Sequence, residues 1–175
     1  MNQPPAGTGA TAVSFTEQMK GFVGLGTADP AEAYEDARLR REDLMFELTI
    51  TADDVAAFVA DPAHRGGATG YVEGEVLGGR CVVEQGWFNL FVASGQGSDR
   101  RMLYRLWFTP DSGEPMTLVG FKDIHDDPGF DLWEDTTTLF VQLLDGHVPP
   151  GDVTAATGLL PAADARVRGA GILRI

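Results

Sequence analysis

The sequence predicts a mainly β fold, and three consecutive runs carry that prediction. Arg101 to Phe108 (RMLYRLWF), Met116 to Ile124 (MTLVGFKDI) and Thr136 to Leu144 (TTTLFVQLL) are rich in β-branched and aromatic residues, and Gly, Pro and Asp bound each run. That composition suits a pleated, half-buried surface better than a helix. At 175 residues, with 43% hydrophobic and 22% charged residues, the chain is long enough for one well-buried core and short for two.

In chain order, residues 1–13 (MNQPPAGTGATAV) have little to bury and read as a mobile tail, leaving 14–175 as a single domain. Ser14 to Val23 alternates, with Phe15, Glu17, Met19, Gly21 and Val23 on one face, and makes a first strand whose glycine marks a bend or a close approach. Thr27 to Glu42 has Pro30 suited to a first helical turn, acids early and Arg38, Arg40 and Arg41 late. It reads as a short exposed helix aligned with its macrodipole or as a charged loop.

Leu44 to Ile50 shows the clearest alternation in the chain. Thr51 is then a candidate N-cap for a short helix with Asp53 and Asp54 in its first turn and a Val55, Phe58, Val59 stripe. This helix should end before Pro62 and plug or flank the sheet. Gly70 to Leu77 and Arg80 to Val92 read as strands joined at Gly78-Gly79, with a bulge or bend at Gly86.

Loops are expected at Ala93 to Asp99, at Pro110 to Pro115, and at His125 to Glu134, which holds Phe130 and Trp133. A long Gly- and Ala-rich loop over Pro149 to Arg168 leads to a terminal strand, Gly169 to Ile175. About eight antiparallel strands must hide their edges. A closed, calycin-like barrel does so, with the last strand near Ile172 pairing the first near Phe15; a two-sheet sandwich is the alternative.

A net charge of −13 and a pI near 4.4, without a basic stripe, argue against nucleic-acid binding. The single cysteine, Cys81, excludes an internal disulfide framework and fits a reducing compartment. The start of the chain lacks the pattern of a secretory signal, and no apolar run approaches the roughly 20 residues that span a bilayer. A cytoplasmic location is the expectation.

Chemistry-bearing motifs are sparse. His64, His125 and His147 are scattered at irregular spacing, with only Asp126 and Asp127 beside His125, and no metal is expected. Cys81 reads as a buried thiol, while Ser94 and Ser98 lack a nucleophile-elbow setting. Gly24 and Gly26, like Gly66 and Gly67, read as turns without the context of a phosphate cradle. No catalytic residue or cofactor is assigned.

The informative positions are polar residues inside apolar strands. Arg105 alternates with Leu103 and Trp107, Lys122 shares a face with Leu118 and Ile124, and Glu84 shares one with Val82, Phe88 and Leu90. Either these charges face solvent, or they face a cavity. In the second case Trp87, Phe88, Tyr104 and Phe121 line it, and Arg105, Lys122 or Glu84 fixes a polar group of an apolar ligand.

The ordered series FTEQMKGFV, LTITADDVAAFVADPAH, GWFNLFV, MLYRLWF, DDPGFDLWEDTTTLFVQLLDG and GAGILRI spans most of the chain after the tail. It resembles a non-catalytic β-rich module of large actinobacterial proteins that also carry a glucose-methanol-choline (cholesterol oxidase-like) oxidoreductase region and an α/β-hydrolase region. The flavin-binding glycine motif of that oxidoreductase has no counterpart here. The resemblance implies a stand-alone accessory barrel that binds a hydrophobic, sterol- or lipid-like molecule or docks on a lipid-oxidising enzyme. Two other readings remain open: a cofactor-free cyclase or isomerase with Glu84 or Asp135 moving a proton, and a purely structural interaction protein.

Overall fold

The computed structural model describes residues 10–93, 100–124, 137–150 and 165–175. Within them nine strands form one sheet: β1 (Val13–Leu25), β2 (Asp43–Ala52), β3 (Arg65–Gly74), β4 (Gly79–Val82), β5 (Gln85–Ala93), β6 (Arg100–Phe108), β7 (Met116–Ile124), β8 (Thr138–Asp145) and β9 (Val167–Arg174). The order β2-β1-β9-β8-β7-β6-β5-β3, with β2 also paired to β3, closes eight strands into an antiparallel barrel, and β4 is an extra strand beside β3. The barrel rather than the sandwich is therefore how the edges are hidden. Its seam includes β1 with β9, from Lys20 opposite Arg174 to Leu25 opposite Gly169.

Alternation sets which side chains go inside. Leu44, Phe46, Leu48 and Ile50 of β2 are buried, and so are Tyr104, Leu106 and Phe108 of β6. With Met19, Phe88, Leu118, Leu139, Val141, Leu143 and Leu173 they make one contiguous interior. Outside the barrel a smaller apolar cluster of Val119, Leu144 and Val148 packs with Ala165 and Val167.

The long strand expected over Arg80 to Val92 is broken, and not at Gly86. β3 divides its length, Tyr71 to Gly74 pairing with β4 and Arg65 to Gly67 with β5. The chain must step between the two, and it does so at Val83 and Glu84, whose amides donate to Gly70 O at 2.9 Å and Trp107 O at 2.8 Å. Glu84 and Gln85 are consecutively exposed, so Glu84 loses the face of Phe88 that strict alternation assigned to it. Gly86 serves a close approach instead, because a Cβ there would lie 2.2 Å from Ala68 O. Likewise β3 begins at Arg65 rather than Gly70, and Glu75–Leu77 forms a single tight helical turn instead of strand.

The charged segment is a helix, α1 (Pro30–Arg40). Asp29 caps it by accepting from the amides of Ala31 and Glu32, both at 2.9 Å, Pro30 opens it, and Arg38 and Arg40 lie in its last turn. It buries Ala33 and Ala37 against β1 from outside the barrel, where Gly24 leaves room for the Ala33 carbonyl. The second helix, α2 (Val55–Ala60), is capped by Asp54. Thr51 is not the cap because it is a β2 residue opposite Gly67. None of α2 is buried and Val59 is 66% exposed, so it flanks the barrel and plugs nothing.

Residues 1–9 of the expected tail lie outside the described residues, as do Ser94, Ser98, His125, Asp126, Asp127, Phe130, Trp133, Asp135 and Thr136. The tail's end is anchored: Val13 opens β1, and Thr11 O accepts from Val55 N at 2.9 Å. The expected 149–168 loop is described only at its two ends. Among the described residues no helix is long and apolar enough to cross a membrane.

Gly70 shows how tightly β2 and β3 approach. Its φ of +144° is unfavourable for other residues, and a Cβ there would sit 2.0 Å from Glu47 O. Gly70→Ala is expected to lower stability by about 2 kcal/mol or more. Gly67→Ala, with nothing within 4 Å of the added methyl, should leave the urea midpoint nearly unchanged. Equal midpoints for the two variants would contradict this account of the barrel corner.

Candidate functional site

Three polar side chains meet inside the barrel, near the end where β1 and β6 begin and β7 finishes. On β1, Glu17 follows the inward alternation of Met19 and Val23. On β7, Lys122 follows that of Leu118 and Gly120, and Tyr104 of β6 lies directly opposite Gly120. Lys122 Nζ donates to Glu17 Oε2 at 2.6 Å, and Tyr104 OH donates to Glu17 Oε1 at 2.8 Å. Both carboxylate oxygens are thereby engaged. The ammonium also stands 5.3 Å from the Tyr104 ring centroid.

The surroundings are apolar. Tyr104 packs against Phe88 at 5.1 Å and Phe46 at 5.9 Å between ring centroids, and Phe15 meets Phe88 edge-on at 6.1 Å. The Lys122 side chain is 1% exposed and that of Glu17 13%, whereas Phe15 is 47% exposed at the barrel end. Two ions taken this far out of water each lose several kcal/mol of hydration, which the short contact and the extra phenol hydrogen bond must offset. Burial, followed by the Glu17 charge and hydrogen bond, holds the Tyr104 phenol well above its ordinary pKa of 10.0.

The seven residues expected around one cavity divide among three places. Phe88, Tyr104 and Lys122 face the interior and come together. Trp87, Arg105 and Glu84 lie outside the barrel. There Trp87 meets Trp107 edge-on at 4.9 Å, and Trp107 stacks on His147 at 5.0 Å with 3° between planes. His147 Nε2 is 3.7 Å from Glu84 Oε2. Arg105 NH1 and Trp107 Nε1 donate to Val148 O at 3.0 and 2.8 Å, so both fasten the 147–148 segment to the outer face of β6. Desolvation lowers the Arg105 pKa. Phe121 is also outward, stacked on Phe140 at 5.3 Å and beneath the Arg101 guanidinium at 4.5 Å.

Two-residue alternation causes this division. Arg105 and Tyr104 are consecutive, as are Phe121 and Lys122 and Trp87 and Phe88, so only one of each pair can face inward. Sequence reasoning missed Glu17 as a site residue, although a signal existed: it is the lone acid on the otherwise apolar face of Phe15, Met19, Gly21 and Val23. Of the histidines within reach, His64 Nδ1 lies 2.8 Å from Leu90 O. Cys81 is buried and forms no disulfide, and desolvation raises its pKa.

No family model matches the chain, and no curated protein or solved structure does. The barrel and the Glu17–Lys122–Tyr104 cluster are accordingly the ground for a functional reading.

Breaking the pair from one side strands a buried charge. Lys122→Met is expected to cost about 3 kcal/mol or more in urea unfolding, while Glu17→Leu combined with Lys122→Met should recover most of that loss. Additive losses in the double variant would show that the two charges are not coupled.

The raised phenol pKa also has a pH signature. Above about pH 10 the unfolded chain releases the Tyr104 proton while the folded chain retains it, so this group's contribution to stability falls as pH rises further. Unfolding midpoints followed from neutral to alkaline pH should decline less steeply in Tyr104→Phe than in the parent. Parallel declines would place the alkaline sensitivity elsewhere.

Proposed function

We propose that this protein is an accessory β-barrel that receives the polar end of a hydrophobic, lipid-like molecule at the barrel end holding Glu17, Lys122 and Tyr104. The observation that carries the reading is a charged cluster inside an apolar barrel, with the ring of Phe15 exposed beside it. The rest of the interior is filled by Phe46, Leu106, Phe108, Leu118, Leu139 and Leu143, all fully buried. A ligand of this kind therefore enters only the end, its hydroxyl or carbonyl near the cluster and its apolar part against Phe15 and Phe88. The resemblance to modules that accompany sterol- and lipid-oxidising enzymes supports a sterol or lipid as ligand class and such an oxidoreductase as partner class.

A second reading, a cofactor-free isomerase or cyclase, is favoured by one feature. Glu17 combines a carboxylate with the adjoining phenol proton of Tyr104 in a largely dry setting, which suits proton transfer better than the surface residue Glu84 does.

Native mass spectrometry of the protein purified from its host, together with titrations of cholesterol and oleate, tests the proposal. The parent is expected to carry or bind an apolar molecule, and the Glu17→Leu, Lys122→Met variant to lose at least about tenfold in affinity. A bare parent mass together with no binding of either titrant would overturn the ligand reading. Conversion of a bound molecule to an isomer, abolished in Glu17→Gln, would select the catalytic form.

A further inference from the structure

A concavity lies on the outer surface, away from the barrel interior. It is a cleft of about 450 Å³ on the outer face of β9, β1 and β2, walled by α1 and lined by Lys20, Phe22, Tyr34, Asp43, Met45 and Arg174. The register explains its composition. Arg174, Lys20 and Met45 lie opposite one another across three adjacent strands, and Phe22 in the neighbouring row is opposite Ile172 and Asp43. Tyr34 of α1 leans over this shelf, 5.7 Å from the Phe22 ring.

Two features set the cleft apart from ordinary surface. First, its volume falls in the range of small-molecule sites, and its walls combine aromatic and thioether surface with a few charges. Second, Lys20 and Arg174 are like charges placed directly opposite each other on paired strands, an arrangement that is unfavourable by itself. A chain with 26 acidic residues and 13 Lys and Arg has ample acid to neutralise them, yet the Lys20 side chain has no hydrogen-bond or ion-pair partner among the described residues. Arg174 is held in place by donating to Tyr34 OH at 2.7 Å and by lying 4.9 Å above its ring. This leaves the rest of its fork of donors for another acceptor.

We infer that this cleft binds a small organic anion, a carboxylate or a phosphate monoester carried on an apolar, ring-bearing body. The anionic group bridges Lys20 and Arg174 and relieves their mutual repulsion. The apolar body lies on Phe22, Tyr34 and Met45, while Asp43, one row away, accepts from a hydroxyl or ammonium donor on the same molecule. The inference is independent of the barrel-end cluster, because no residue is shared between the two places.

The test uses the full chain and three related probes, naphthoate, naphthyl phosphate and naphthylmethanol, followed by calorimetry and by amide NMR shifts. Naphthoate, naphthyl phosphate or both should bind and shift the amides of Lys20, Phe22, Asp43 and Arg174, and the neutral alcohol should bind at least about tenfold more weakly. The relative affinity of the two anions names the headgroup. Lys20→Glu, at an exposed position, should abolish the shifts. Met45→Trp, which fills the cleft without altering charge, should do the same while the unfolding midpoint stays near that of the parent. Anion binding that survives both substitutions, or the absence of shifts at these amides with either anion, would overturn the inference. Loss of binding here with lipid binding retained at the barrel end would keep the two sites distinct.

Discussion

Closing eight antiparallel strands into a ring gives each of the eight a partner on both sides and leaves an outer edge on the extra strand β4, but it brings neighbouring backbones closer at the corners than a side chain allows. The molecule meets that constraint with glycine on the inward face. Gly21 and Gly171 would each set a Cβ about 2 Å from a carbonyl of the adjoining strand, and Gly70 and Gly86 do the same around β3. The small bore then decides what the interior can hold. Large apolar side chains from opposite walls fill it, and the polar side chains Glu17 and Lys122 meet near one end.

At that end the barrel spends stability on polarity. Glu17 and Lys122 are 105 residues apart in the chain and reach each other across the interior from strands that are not neighbours in the ring. An apolar pair of similar volume would fill the space at lower electrostatic cost, so the charges are weak evidence for stability. Tyr104 ties the pair to the aromatic interior, which makes one cluster of hydrogen bonding and ring packing.

The outer surface is also put to use. Thr117 Oγ1 accepts from Val148 N at 2.8 Å and donates to Gly146 O at 2.7 Å, and with Arg105 and Trp107 it seats the 146–148 segment against the wall. On the opposite side of the ring α1 packs where Ala33, Ala37 and Gly24 are small, and its Tyr34 shapes the cleft beside Lys20 and Arg174. Outward polar and aromatic residues thus act in packing, and are more than a solvated face.

The sequence by itself determined the strands with clean alternation, because a period of two is local information: β2 and β7 are where Leu44 to Ile50 and Met116 to Ile124 place them. It also showed the order of Pro30 first and arginines last that α1 has, while leaving helix and charged loop both open. That Lys122 shares a face with Leu118 and Ile124 was readable too, but not whether that face turns inward. What only the tertiary structure decided was which side of each strand met which other strand. The step at Val83 and Glu84 follows from β3 dividing its length between β4 and β5, and nothing local to Glu84 announces it. Arg105 went outside and Glu17 became the partner of Lys122 for the same reason: inward and outward, and the contacts across the bore, are defined only once the ring has closed.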